Sequence, residues 1–567
     1  MFRHFRRLLN SKKYIKRTKD IDPDEIFIDS ENLPKFDVNQ FEGRIEKPIS
    51  HSTFVIFSIF CILIFLSFFY KSWDLQIING DKYYQRSENN RLRYTLIFSK
   101  RGVIVDRKDR DLAWNISSSE APEFSFRKYS TSTGLSHVLG YLKYPQKDKY
   151  GFYYNEDFIG KDGVEKFYNN TLAGENGLRI VEVDALNKVE SESTVRPPKD
   201  GEDLKLSIDS KLQNKLYESI ADLSGRVGFT GGAGVIMDIK TGEVLALTSF
   251  PEYNSQILTD GNNKNAINNI VNNPSNPFLD RITDGLYSPG SIIKPFMAIA
   301  ALCEKIIGQY DNILSTGSIS IPNPYDPSKP TIFKDWKVHG YTDMRKAIAV
   351  SSDVYFYQIG GGFENQKGLG INLIKKYMTS FGFGKNMEEG FFFGKEGIVP
   401  DPEWKKANFD GEDWRVGNTY HTSIGQYGFQ VTPIQVVRAV ASIANDGKLI
   451  EPTMIYGDKN KDVIELPYDK NYYKVAREGM KMAVEEGTAG GLKNDFFKLG
   501  AKTGTAELGS RKQFVNSWVT GFFPYDNPKY AFVVIMEKGP VTNTLGGVFV
   551  MRQVFDWMTI YTPEYLI

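Results

Sequence analysis

The chain has 567 residues, too many for one compact domain at roughly 100–200 residues each, so two to four units are expected. Its composition is that of a folded protein rich in Phe and Tyr, and a net charge of +1 gives no global field for nucleic acid, so no nucleic-acid partner is expected. Two cysteines, Cys61 and Cys303, do not make a disulfide scaffold, and the five scattered histidines and the lack of C-x-x-C or H-E-x-x-H spacing point to no metal and no other cofactor.

The first twenty residues, MFRHFRRLLNSKKYIKRTKD, are strongly basic, and a mixed-charge acidic stretch follows to about Ser50. TFVIFSIFCILIFLSFFY, Thr53 to Tyr70, is uncharged and apolar on every face. A bilayer core takes about 20 such residues, so residues 53–72 are expected to be a transmembrane signal-anchor helix rather than a buried soluble one. A cleavable signal fits poorly, because the run starts late and SFFYKSW lacks an A-x-A-like site. More Lys and Arg precede the span than follow it, which puts residues 1–52 in the cytoplasm and the rest outside the cytoplasmic (inner) membrane, in the periplasm or its equivalent.

Residues 73–203 read as an extended, β-rich pedestal or spacer. Within it, RGVIVDRKDRDLAWN (Arg101 to Asn115) predicts strand, charged turn, strand, and GLRIVEVDALNKV (Gly177 to Val189) predicts two short strands around a turn. Neither places a nucleophile beside a base. VRPPKDGED (Val195 to Asp203) punctuates the boundary. Beyond it, DSKLQNKLYESIADL predicts a helix capped by Asp209 or Ser210, and GAGVIMDIKTGEVLALTS (Gly232 to Ser249) predicts a hairpin turning at DIKTGE. Helix-rich sequence runs to about Gly490. Strands resume at KLGAKTGTAEL, SWVTGFFPY and YAFVVIMEKG, and GGVFVMRQVFDWMTIY predicts a closing helix. Strands at both ends of 204–567 imply one sheet assembled from distant segments, an α/β (α+β) sandwich with a mostly helical subdomain.

SPGSIIKPFMAIAALCEKII (Ser288 to Ile307) sets Ser291 at a helix N-terminus with Lys294 on the same face, and Pro295 is tolerable only in a first turn. A buried lysine could deprotonate the serine, and the helix start supplies donors for a developing oxyanion. Alone, this spacing is an ordinary helix start. In MRKAIAVSSDVYFYQIG (Met344 to Gly360), Ser351, Ser352 and Asp353 interrupt a helical pattern and predict a polar notch in mid-helix. AKTGTAE (Ala501 to Glu507) predicts a strand carrying Lys502, Thr503, Gly504 and Thr505, with Gly504 leaving room for a substrate backbone. Lys240-Thr241-Gly242, a second K-T-G, reads as a hairpin turn only.

In this order, Ser291-Ile-Ile-Lys294, Ser351-Ser-Asp353 and Lys502-Thr-Gly504 resemble the S-x-x-K, S-x-N/D and K-T/S-G elements of the serine penicillin-recognising family. The likeness runs from about Leu75 to the C-terminus and is that of class B penicillin-binding proteins, through GKDGVEKFYNNTLAGENG, HTSIGQYGFQVTPIQVVRAVASIANDG and SWVTGFFPYDNPKYAFVVIMEKG. S-x-D, together with Asp335 and His339 in FKDWKVHG, resembles elongation-type members called penicillin-binding protein 2. The resemblance implies a pedestal (dimerisation-type) domain over 73–203, a transpeptidase domain over 204–567, and D,D-transpeptidation of peptidoglycan stem peptides ending in D-Ala-D-Ala. A D,D-carboxypeptidase side activity would be compatible with it.

The roles implied are Ser291 as nucleophile, Lys294 as acylation base, and Ser351 with Lys502 as proton relay. Asp353 would act on both lysines, the Ser291 and Thr505 N–H groups would form the oxyanion hole, and Thr503 and Thr505 would hold the terminal carboxylate beside Gly504. Beta-lactams would acylate Ser291. Some members bind zinc through a cysteine before the second motif; Ile348 and Ala349 stand there, so no metal is expected. With no room for a glycosyltransferase domain, the polymerase partner would be a SEDS-family protein of the rod complex. The alternatives are a division-type transpeptidase, a beta-lactamase or beta-lactam sensor, and a non-catalytic scaffold.

Overall fold

The structure, a computed structural model, describes residues 49–567 apart from 118–122, 150–152, 184–188, 324, 325, 327, 388, 389, 459–462 and 510. The basic first twenty residues lie outside the described residues. Two compact units are present, Met1–Arg91 and Leu92–Ile567.

In the first unit, α1 (His51–Trp73) starts where the Ser50 hydroxyl accepts from the Thr53 N–H. It continues through a π-helical turn to Ile78 as one 28-residue apolar helix with no residue buried. At 1.5 Å per residue this is about 42 Å, against a hydrocarbon core of roughly 30 Å. It is long and apolar enough to cross a membrane, and it outruns the expected span at both ends.

The second unit opens with β1 (Leu92–Ile97), β2 (Ile104–Val105), β3 (Asp111–Ile116), β4 (Phe126–Tyr129), β5 (Gly177–Val183), β6 (Val189–Arg196) and β7 (Leu204–Lys205). They form two small sheets, ordered β1-β5-β6 and β7-β2-β3-β4. Both strand pairs expected from the sequence form; the turn of the second, 184–188, lies outside the described residues. Glu165 is fully buried and accepts from Arg101 Nε at 2.6 Å and Arg127 Nε at 2.8 Å. Burial alone would raise its carboxyl pKa, but the charges and hydrogen bonds of Arg127 and Arg101 hold it below the usual range.

The remainder is built from α2 (Ser210–Val227), capped by Asp209, and the hairpin β8 (Gly231–Asp238) and β9 (Val244–Phe250). Next come α3 (Lys294–Cys303), the hairpin β10 (Ser318–Ile321) and β11 (Thr331–Lys334), α4 (Met344–Val350) and α5 (Asp353–Gly361). Then follow α6 (Pro433–Ala444), α7 (Lys470–Glu485), β12 (Gly500–Leu508), β13 (Phe514–Phe523), β14 (Tyr530–Pro540) and α8 (Gly547–Tyr561). The five long strands make one antiparallel sheet in the order β9-β8-β14-β13-β12. Alternate side chains bury on opposite faces. Val235, Val533 and Ile535 join the core under α3 and α6, and Ile236, Val534 and Met536 join the core under α2 and α8. Both faces being covered explains strands that read as continuous apolar runs rather than alternating ones. Gly242 (φ +69°) turns the first hairpin, as expected for the earlier K-T-G.

Glu165→Gln leaves Arg101 and Arg127 buried without their counter-charge. It is expected to cost about 3–5 kcal/mol of stability, read as a lower denaturation midpoint; an unchanged midpoint would contradict the ion-pair account. Because the folded pKa is depressed, this contribution is present above the ordinary glutamate value of 4.5 and is lost as pH falls through the folded pKa.

Candidate active site

The first motif sits where two segments press on the backbone. Gly290 adopts φ +56° and donates its N–H to the Gly425 carbonyl at 3.0 Å. A Cβ there would stand 2.9 Å from the Thr505 carbonyl oxygen of β12, so only glycine lets the chain pass. The backbone then winds through a short 3₁₀ turn, Gly290–Ile293, into α3, with Pro295 in the first turn where its missing N–H costs nothing. Ser291 lies half-buried on that turn, and Lys294, one turn on, is wholly buried.

The second motif is not a notch in one helix. Helix α4 ends at Val350 and α5 begins at Asp353. Ser351 between them has φ +59°, a left-handed conformation that costs a non-glycine residue roughly 1–2 kcal/mol. Ser352 caps α5 by accepting from the Tyr355 N–H. This turn points both polar groups of Ser351 at the lysines. Lys294 Nζ donates to the Ser351 carbonyl at 2.8 Å and to Ser351 Oγ at 3.2 Å, and is 2.6 Å from Asp353 Oδ1. Lys502 Nζ donates to Ser351 Oγ at 2.9 Å and to the Thr503 carbonyl at 2.8 Å. A hydroxyl has two lone pairs and one hydrogen. With both lone pairs occupied by lysine N–H donors, the Ser351 hydrogen is left for a third group. The Ser291 hydroxyl takes no part in this network.

The third motif lies on β12, an edge of the five-stranded sheet. Burial pushes the Lys502 ammonium well below the usual lysine range, the nearby Lys294 charge adds to this, and Asp353 opposes it. Thr505 is exposed, with its backbone alongside Gly290, and Thr503 Oγ1 donates to Thr488 Oγ1 at 2.7 Å. At Gly504 a Cβ would meet the Pro289 carbonyl and Ile292 Cγ2, each at 2.9 Å, so the missing side chain lets the Ser291 segment lie against β12.

The structure thus brings Lys294, Ser351, Asp353 and Lys502 into direct contact and sets the Gly290–Ser291 turn against Gly504 and Thr505. Thr488, Gly425 and Trp518, whose indole N–H donates to the Ser288 carbonyl at 3.0 Å, were not foreseen. Gly425 lies in HTSIGQYG, where the paired glycines were a usable signal; Thr488 and Trp518 left none. Among the described residues, no group of three His, Cys, Asp or Glu side chains is placed to hold a metal ion.

The penicillin binding protein transpeptidase domain family matches residues 232–551, and the penicillin-binding protein dimerisation domain family matches 123–206. Peptidoglycan D,D-transpeptidase MrdA of Haemophilus influenzae is 30% identical over 502 residues, spanning 81% of this chain and 74% of that protein. MrdA of Acinetobacter baumannii is 33% identical over 447 residues, 73% of this chain and 63% of that protein. Among solved structures, the penicillin-binding protein PBP2 of Helicobacter pylori in complex with MreC superposes with a TM-score of 0.68 at 27% identity, covering 82% of this chain and 99% of that one. Pseudomonas aeruginosa PBP2 in complex with WCK 5153 gives 0.68 at 27% identity, covering 84% and 98%. Because the transpeptidase match takes in more than half of the residues and all three motifs, the chain belongs to the penicillin binding protein transpeptidase family.

Proposed function

We propose that this chain is a membrane-anchored peptidoglycan D,D-transpeptidase of the elongation type. The observation that carries the reading is the Ser351 hydroxyl held between Lys294 and Lys502 beside the Ser291 turn. Ser291 Oγ attacks the penultimate D-Ala carbonyl of a donor stem peptide and gives its proton to Lys294, which acts as the neutral amine and becomes the ammonium. The tetrahedral oxyanion is received by the N–H groups of Ser291 and Thr505, the backbone of Gly290, next to Ser291, lying against that of Thr505. Ser351 passes its hydrogen to the nitrogen of the leaving D-alanine and is resupplied from Lys502. An acceptor amine then attacks the acyl-enzyme, forms the new amide and returns Ser291 to its hydroxyl. Thr503 and Thr505 hold the donor's terminal carboxylate, and Asp353 steadies the Lys294 ammonium once it has taken the Ser291 proton. Beta-lactams enter by the same first step and stay on Ser291.

The elongation assignment is supported by the MrdA relatives and by the PBP2 solved structures. Anchoring is supported by α1, and the excess of Lys and Arg before the span supports an N-terminus in the cytoplasm with the catalytic part outside. An MreC-like scaffold, as in the Helicobacter pylori complex, and a SEDS-type glycosyltransferase are the proposed partners.

Fluorescent penicillin is expected to label the wild-type chain and not Ser291→Ala; labelling that survives the substitution would refute the nucleophile. Ser351→Ala is expected to slow acylation by about 10²–10⁴-fold with folding intact, measured by stopped-flow labelling; wild-type acylation would rule out the relay. Lys502 must be protonated to resupply Ser351, so acylation should fall as pH rises through its depressed pKa, below the ordinary lysine value of 10.5. Lys502→Arg is expected to move that alkaline limb upward; an unmoved limb would assign it to another group.

A further inference from the structure

The strained turn at Ser351 is gripped from outside its own two helices. Asp335 follows directly on β11, and its side chain is fully buried. Its Oδ2 accepts from Ser352 Oγ at 2.8 Å, from the Val354 N–H at 3.0 Å and from Ser315 Oγ at 3.2 Å. Its Oδ1 accepts from the Trp336 N–H at 2.8 Å, and His339 Nε2 stands 3.4 Å away. Burial disfavours the carboxylate here, but N–H donors of Val354 and Asp353, the Ser352 hydroxyl and the Lys294 charge outweigh it and keep its pKa below the usual range. A carboxylate so placed answers the first free N–H groups of α5 and favours its positive end. The next residue grips the other side of the turn. Trp336 donates its indole N–H at 3.3 Å to the Ser351 carbonyl, the same oxygen that accepts from Lys294 at 2.8 Å. The gripping segment is itself anchored, by the Asp335 N–H on the Gly317 carbonyl at 2.8 Å and by Tyr357 Oη on the Lys334 carbonyl at 3.3 Å.

We infer that Asp335 and Trp336 are positioning residues for the acylation step, clamping Ser351 in its left-handed turn so that its hydroxyl stays between the two lysines. The inference rests on the transpeptidase reading of the same site. Neither side chain touches the reacting atoms. Asp335 acts through Ser352 and the start of α5, and Trp336 through the Ser351 carbonyl. Loosening either end lets Ser351 relax toward ordinary backbone geometry and draws Oγ out of line with Lys294 and Lys502. Misplacement of this kind lowers the rate of the chemical step and leaves recognition of the ligand alone.

The test uses the full chain with a fluorescent penicillin, separating the acylation rate constant from the dissociation constant of the non-covalent complex, with the thermal midpoint measured alongside. Asp335→Asn, Trp336→Phe and Ser352→Ala are each expected to slow acylation by roughly 10–100-fold with the dissociation constant held. The Asp335→Asn and Ser352→Ala effects should be less than additive in the double variant, since one weakens and the other removes the same Ser352–Asp335 hydrogen bond. Wild-type acylation rates in folded Trp336→Phe and Ser352→Ala would overturn the clamp, as would a rise in the dissociation constant that accounts for the whole effect. If Asp335→Asn lowers the midpoint while Ser352→Ala acylates normally, Asp335 serves stability alone and the inference falls. Failure of the wild-type chain to form an acyl-enzyme would instead defeat the transpeptidase reading.

Discussion

One hydroxyl between two buried lysine nitrogens is the constraint on which the site depends. Ser351 Oγ accepts from Lys294 and Lys502, which lie 57 and 151 residues away in the chain. Two like charges removed from water would repel each other and pay a heavy desolvation cost. Asp353 answers one of them directly, and the Ser351 and Thr503 carbonyls take up further donors. What remains uncompensated appears on Lys502, whose affinity for its proton is lowered. A proton held loosely, one hydroxyl away from a departing nitrogen, is what acid catalysis of amide cleavage requires.

The rest of the fold can be understood as the means of bringing those three segments together. The five-stranded sheet takes β8 and β9 from the start of the catalytic half and β12 to β14 from its end, so Lys502 arrives on an edge strand with a covered sheet behind it. Two glycines then set the spacing. Gly290 and Gly504 let the Ser291 turn and β12 approach until a Cβ on either would collide with the other's neighbours. Trp518, on the next strand, ties the same turn down through the Ser288 carbonyl. The 3₁₀ turn that carries Ser291 into α3 packs on β12, and Ser351, just ahead of α5, is reached from β12 by Lys502.

Much of this was legible in the sequence, and the parts that were not share a cause. The apolar span, the first hairpin, the Asp209 cap, the start of α3 at Pro295 and the last three strands follow from local patterns, because a local pattern is what decides them. Ser351 to Asp353 was expected in mid-helix because Ala, Ile, Val and Tyr on either side keep a helical period. The break comes from Asp335, a residue on a different hairpin that caps α5 from outside. Nothing in AKTGTAE reveals that the Ser291 segment lies against Gly504. Thr488 reaches Thr503 by the same kind of tertiary contact. Motif order identified the chemistry, whereas the contacts that hold the motifs in register come from residues with no motif of their own.

The central claim is that Ser291, set against this network, is the atom that becomes acylated. Peptide mapping by mass spectrometry of the penicillin-treated full chain tests it most directly. The account predicts a single adduct, of the mass of the intact antibiotic, on the peptide that contains Ser291. An adduct on Ser351 or elsewhere, or rapid release of hydrolysed antibiotic with no stable adduct, would contradict it.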